Sequence, residues 1–243
     1  MRRAFARTYF DLVYNRLYDA TTARLLRYAH VQEQLASLLE ACHGDRVLCV
    51  GLGTGNELAH LWKAAAELDI TGVDFSSAAL ARARRKSDGL HSCSFAMMDA
   101  HCLGFPDNSF DRVLAYHVTD FLDSPESATG EMLRVLKPGG RFVISYPSIE
   151  DGLGLGMGLL TYRAGDRTSG FRQRVRQTVS GLTTGFIYLP LMLRPHRRSY
   201  SRNELEKLLH SLGGRVSAVD DDPIYHDHIV SGRKLTGGTS SET

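Results

Sequence analysis

The run RVLCV at residues 46–50 is apolar everywhere but its first position, a pattern that predicts a strand buried on both faces, as in a parallel sheet. Ahead of it, VQEQLASLLEAC places Val31, Leu35, Leu38, Leu39 and Cys42 at helical spacing, giving one apolar stripe. ELAHLWKAAAEL then reads as a helix, DITGVD as a second strand and SSAALARARRKS as a helix opened by a serine cap. The alternation continues with strands in CSFAMM and FDRVLAYHV, a helix in ESATGEMLRVL and a strand in RFVISY. KPGG, residues 137–140, is predicted to end that helix and turn the chain, because proline cannot continue a helix and glycine accepts left-handed dihedrals. In SRNELEKLLHSLGG, Ser201 and Glu204 form a capping box and the double glycine stops the helix. RVSAVD and YHDHIVSGRK are expected to close the sheet as an antiparallel edge pair. This order of elements predicts an α/β fold with right-handed crossovers.

Between Pro147 and Tyr200 the periodicity breaks into glycine-rich, arginine-rich and apolar pieces, which read as an α-helical lid inserted over a ligand crevice. The expected organisation is a basic, aromatic helical cap at 1–30, a core at 31–146, the lid at 147–200, a return to the core at 201–235 and a disordered tail at 236–243. GLGLGMG, residues 152–158, imitates a cofactor loop without an adequate helix after it and is read as part of the lid.

The 243 residues are 43% hydrophobic, enough for one α/β domain with a covering segment. Cys42, Cys49, Cys93 and Cys102 form neither a CxxC pair nor a regular framework, so a reducing cytosol is expected and a disulfide or zinc scaffold is not. The opening MRRAFARTYFDLVYNR has no secretory h-region. QTVSGLTTGFIYLPLML, between Arg176 and Arg194, is shorter than the roughly 20 apolar residues of a bilayer span and contains Pro190. The net charge of +2 hides an asymmetry: residues 1–30 carry +4, residues 160–202 carry +8 and the remainder −10. The two basic segments, each with apolar neighbours, suit an anionic membrane surface. Solvated arginines on lid helices are the alternative.

Three glycines, at 51, 53 and 55, stand where the first strand meets a helix, so bare backbone N–H groups can approach a ligand at the sheet's carboxyl edge. A dinucleotide fingerprint requires a third glycine at 56, where Asn56 stands, and a Walker loop requires a following Gly-Lys. Asp74, 19 residues after Gly55, can accept from both hydroxyls of a ribose, and Asp99 is positioned for an adenine amine. Two carboxylates beside a nucleoside repel phosphates and favour a cationic ligand. S-adenosyl-L-methionine, a sulfonium without phosphate, meets that demand.

VLCVGLGTGNEL, ITGVDFS, FAMMDA, LGFPDNSFDRVLAYHV and EMLRVLKPGGRFVIS, in this order over about residues 44–146, resemble the class I S-adenosylmethionine-dependent methyltransferases. The wording is similar to the branch holding ubiquinone and menaquinone C-methyltransferases, phospholipid N-methyltransferases and many natural-product enzymes. The resemblance implies a Rossmann-like, doubly wound seven-stranded sheet, mostly parallel with an antiparallel edge strand. It also implies that Gly51, Gly53 and Gly55 line the methionine portion, Asp74 holds the ribose, Phe75 packs beside the adenine, and Asp99 with the Ala100 backbone reads its edge. Tyr116 would offer backbone to the amino group, and Tyr18 would close over the cofactor. One departure is Cys49, which stands where the family has an acid that helps hold the ligand's ammonium.

Methyl transfer from a sulfonium is an in-line displacement in which a base is optional. His117 after the fourth strand is the candidate base, Tyr146 at the end of the fifth is the candidate to orient the acceptor, and packing roles are the alternative for both. His196 and Tyr200 are weaker candidates. His226 and His228 share a strand face near Asp220 to Asp222 at metal-like spacing, but no further ligands join them and no metal is expected. The motif of base-amino methylation after strand four is missing, so nucleic acid is not an expected partner. The expected acceptor is a small hydrophobic or amphiphilic molecule, first a membrane lipid or prenylated quinone. A soluble natural product, a non-catalytic cofactor-binding domain and an oxidoreductase follow as alternatives.

Overall fold

The computed structural model describes residues 19, 28–88, 92–149, 198–224 and 227–236. Most of the expected lid and of the N-terminal cap, Tyr18, His196, His226 and all of the tail but residue 236 lie outside the described residues. Along the chain run α1 (Tyr28–Leu39), β1 (Arg46–Val50), α2 (Leu58–Ala64), β2 (Asp69–Asp74), α3 (Ser77–Ser87), β3 (Cys93–Met97), β4 (Phe110–Ala115), α4 (Pro125–Val135), β5 (Leu136–Pro147), α5 (Arg202–Ser211), β6 (Gly214–Asp221) and β7 (Asp227–Lys234). They form a seven-stranded sheet of order β3-β2-β1-β4-β5-β7-β6. The pairings from β3 to β5 are parallel, while β7 runs antiparallel to both β5 and β6. The reversed strand is therefore the penultimate one, and β6, parallel to the rest, forms the edge.

The unbroken apolar run of β1 sends alternate side chains to two layers. Val47 and Cys49 meet Val31, Leu35 and Leu39 of α1, Leu58 and Leu61 of α2, and Leu80 and Ala83 of α3. Leu48 and Val50 meet Ala128, Met132 and Leu133 of α4 and Leu205 and Leu209 of α5. Each such side chain, fully buried, stabilises the fold by about 1.5–3 kcal/mol before entropy is counted. Capping follows the chemistry read from the sequence: Ser76 accepts from the Ala79 N–H, and Ser201 and Glu204 complete a capping box.

Two local expectations change. The first helix ends at Leu39, Glu40 takes φ 48°, and Cys42 is exposed rather than on the apolar stripe. KPGG is not a turn after a helix: α4 stops at Val135 and β5 starts at Leu136, with a register shift in the β4 pairing between Phe110 and Arg112 and Gly139 at φ 76°. The strand absorbs the punctuation as an irregularity, because its remaining residues are held between β4 and β7.

Gly232 of β7 lies opposite Phe142 of β5, and a Cβ there would sit 2.4 Å from both the Phe142 Cζ and the Arg215 carbonyl oxygen. A carbonyl within a paired strand cannot step aside. Gly232→Ala is expected to cost about 1–3 kcal/mol of stability, read as a lower urea midpoint at unchanged slope; an unchanged midpoint would contradict this packing.

Candidate active site

The order of β2, β1 and β4 places a topological switch beside β1, where open α/β sheets take their ligands at the carboxyl ends of the strands. Gly51, Gly53 and Gly55 follow β1 with φ of 66°, 58° and 73°, a region that side chains strain to occupy. A Cβ on Gly51 would come within 2.4 Å of Val118 in the segment after β4, so bare backbone lets the two loops approach.

Asp74 closes β2 and braces this bend. Its Oδ2 accepts from the Gly53 N–H at 2.8 Å and its Oδ1 from the Ser76 N–H at 2.8 Å, with the side chain almost wholly buried. Its neighbour Phe75 is 37% exposed, an aromatic face open at the crevice. Asp74 and Met97 are paired across β2 and β3, and Asp99 follows two residues past the end of β3. Asp99 Oδ1 accepts from the His101 N–H at 3.0 Å and contacts His101 Nδ1 at 2.6 Å. His101 Nε2 accepts from the Ser124 N–H, so Nδ1 carries the proton and donates to Asp99. Ala100 is buried beside it. The expected cofactor residues from Gly51 to Ala100 thus share one edge of the sheet.

Asn56, which breaks the dinucleotide fingerprint, has its own work. It accepts from Lys86 Nζ at 2.6 Å and donates to the Tyr28 hydroxyl. Lys86 also reaches Asp19 at 2.8 Å, and Asp19 accepts from the Thr54 hydroxyl at 2.5 Å, so the residue after Tyr18 rests on the glycine bend.

Cys49 is buried, and burial, with Glu57 next to it electrostatically, holds its thiol well above the usual range. Glu57 itself is half-buried at the start of α2 without capping that helix. Burial pushes its carboxyl up to about 7, against its own backbone and Lys86, with Asp74 adding to the rise. The sequence reading passed over this residue, although its place directly after the glycine bend was the available signal.

Beyond β4, Tyr116 is buried and its hydroxyl donates to Asp222 Oδ2 at 2.7 Å. His117 takes φ 56°, its N–H donates to Ser145 Oγ at 2.6 Å, and its ring is buried. Its Nδ1 lies 3.0 Å from Asp120 Oδ2 and 3.0 Å from Asp227 Oδ2. Burial opposes charge on the ring, but the two carboxylates outweigh it and push the imidazole up to about 10. At neutral pH the ring keeps its proton. A ring held in this way by two carboxylates offers no free lone pair at Nδ1 for a base to use.

Tyr146 is fully buried, its hydroxyl 2.8 Å from Thr129 Oγ1 and its ring edge-on to Tyr200. Burial raises its hydroxyl above the usual tyrosine range. It is packed in the α4–α5 layer and does not join the other candidates. Tyr200, bonded through its hydroxyl to Glu126, belongs to the same layer. His228 is buried with both ring nitrogens engaged, at Ser148 and Asp221. The sequence reading missed Asp120 and Asp227. Strand alternation was the signal for Asp227, which faces the side opposite His228.

Residues 48–144 match the family described as methyltransferase domain. The chain is similar to a phosphatidylethanolamine N-methyltransferase of Cereibacter sphaeroides, 43% identical over 104 residues, which cover 42% of this chain and 50% of that protein. It is also similar to a demethylmenaquinone methyltransferase of Thermus thermophilus, 38% identical over 153 residues, covering 60% of this chain and 64% of that one. The chain thus spans about half to two thirds of the length of these relatives. In fold it resembles the magnesium protoporphyrin IX methyltransferase of Synechocystis PCC 6803 with bound S-adenosylhomocysteine, with a TM-score of 0.65 and 15% identity over 96% of this chain and 99% of that one. The bare bend closed by Val118 and braced by Asp74 suits an adenosyl sulfonium better than a phosphate-bearing ligand, and it lies within the stretch 48–144 that matches the methyltransferase domain family.

Proposed function

We propose that this protein transfers a methyl group to a small hydrophobic or amphiphilic acceptor, with a membrane lipid or prenylated quinone first in line. The observation that carries the reading is the glycine bend held by Asp74, with a second carboxylate, Asp99, two residues past the end of the neighbouring strand. The names of the relatives, a phospholipid and a quinone methyltransferase, support the acceptor class, as do the arginine-rich, apolar segments of the sequence. Among the described residues no helix is long and apolar enough to cross a membrane, so an acceptor of this kind would be met at the bilayer surface.

When bound, S-adenosyl-L-methionine supplies an electrophilic methyl group on a sulfonium. In this reading Gly51, Gly53 and Gly55 hold the methionine portion, Asp74 the ribose, Phe75, Asp99 and Ala100 the adenine, and the Tyr116 backbone the amino group, with Tyr18 closing from the N-terminal side. Glu57 supplies the negative charge that Cys49 cannot, since it lies close enough to raise the thiol. Catalysis rests on alignment, which contributes up to about 7–11 kcal/mol in well-oriented systems, and not on proton removal by a charged His117.

Incubation with methyl-labelled donor and either phospholipid vesicles or prenylated quinone tests the acceptor. Label in an extracted lipid or quinone is expected, and label confined to water-soluble products would move the acceptor to the natural-product class. Asp74→Ala leaves two backbone N–H groups without their acceptor. It is expected to weaken S-adenosylhomocysteine binding by about tenfold or more in calorimetry; wild-type affinity would remove Asp74 from the site.

The raised Glu57 gives a pH test. Its folded value of about 7 exceeds the ordinary 4.5, so the folded chain holds the extra proton between them. That contribution to stability is complete below 4.5 and is lost as pH rises through 7. Glu57→Gln is therefore expected to gain in melting temperature relative to wild type as pH rises from about 5 to 8. Over the same range, ionised Glu57 attracts the by-product's ammonium, so wild-type affinity should rise with pH and the variant's should stay flat. Parallel pH profiles would dismiss the role.

A further inference from the structure

We propose that His117, Asp120 and Asp227 form a binding site for one divalent first-row metal ion, of the Mn²⁺ or Zn²⁺ type. Two distant pieces of chain converge on it: the segment after β4 brings His117 and, in the short helical turn Thr119–Phe121, Asp120, and the first residue of β7 brings Asp227. One donor atom from each residue lies within 4.8 Å of the others, and His117 Nδ1 is 3.0 Å from an oxygen of either aspartate. Ions with bonds of about 2.0–2.2 Å to nitrogen and oxygen hold neighbouring donors about 3 Å apart, so the spacing suits such an ion with little movement.

An independent observation is the other carboxylate oxygen of Asp227. The residue is 1% exposed, and its Oδ1 is buried with no hydrogen-bond partner among the described residues. A buried anionic oxygen without a donor is costly, and a cation removes that cost. Asp222, also 1% exposed, stands behind the cluster, with one oxygen accepting from Tyr116 and the other from the Ile224 N–H. The surroundings are therefore rich in buried negative charge. One imidazole with two carboxylates favours Mn²⁺ or Zn²⁺ over the all-oxygen cages of Ca²⁺.

The ring is also fixed in place as ligands usually are. Its backbone N–H is tied to Ser145, its left-handed φ is unusual for a side-chain-bearing residue, and Tyr116 and Phe121 lie against it with ring centroids 5.9 and 5.8 Å away.

The test uses the full chain stripped by chelator and needs no methyl donor, so its outcome is separate from that of the methyl-transfer reading. Mn²⁺ is titrated while the resonance of the free ion is followed, and Zn²⁺ by calorimetry, with Ca²⁺ as the control. One saturable equivalent of Mn²⁺ or Zn²⁺ is expected, with His117→Gln and Asp227→Asn each weakening it by more than about tenfold. Asp120→Asn, in a short turn outside the sheet, gives the same answer if Asp227→Asn does not fold. Absence of a saturable equivalent in the stripped wild type, or unchanged affinity in the folded variants, would overturn the site.

Discussion

The arrangement turns on one carboxylate. Asp74 ends β2 with an oxygen on the N–H of Gly53 and the other on the N–H of Ser76, tying the bend after β1 to the turn that starts α3. Each bond replaces water around an otherwise buried amide, worth about 1.5–3 kcal/mol when the acceptor is charged. Left-handed glycines alone would leave the bend free to take several shapes. Held at this point, with the Leu52 and Gly55 N–H groups bonded to the carbonyls of Val73 and Leu52, the bend has one shape, and Val118 can close against Gly51 only because no side chain intervenes.

From this anchor the charge pattern of the site follows. Asp74 ends β2 and Asp99 follows the end of β3, Glu57 stands after the bend at the start of α2, and Asp120, Asp222 and Asp227 collect past β4. Lys86 answers part of this charge through Asn56, Thr54 and Asp19 on the outer side of the bend. A crevice with so many carboxylates repels phosphate and draws cations. That preference was legible in Asp74, Asp99 and the glycine spacing, because the chain-order grammar of strand, bend and helix fixes where those residues fall.

What was not legible depends on distant pieces of chain meeting. His117 reads as a base from its position at a strand end, but its proton affinity is set by Asp120, three residues on, and by Asp227, 110 residues on. Tyr146 reads as a crevice residue by the same rule, yet strand alternation and the helices α4 and α5 put it in the core with Thr129. KPGG looks like a turn by composition, and pairing on both sides makes it part of a strand. In each case the local pattern suggested one role and partners brought in by the fold decided another. Helix caps at Ser76 and Ser201 were readable because their partners lie three residues away.

The methyl-transfer reading and the proposed ion therefore meet at His117 without needing one another. Two carboxylates within 3.0 Å of Nδ1 hold a proton there, and a divalent ion at the same point would take that proton's place. In neither state does Nδ1 offer a free lone pair to an acceptor, since it is protonated in the first and coordinated in the second. Proton removal from an acidic acceptor would then have to come from another group or from solvent, and an acceptor that loses its proton easily, or has none to lose at the reacting atom, is the better match to this crevice.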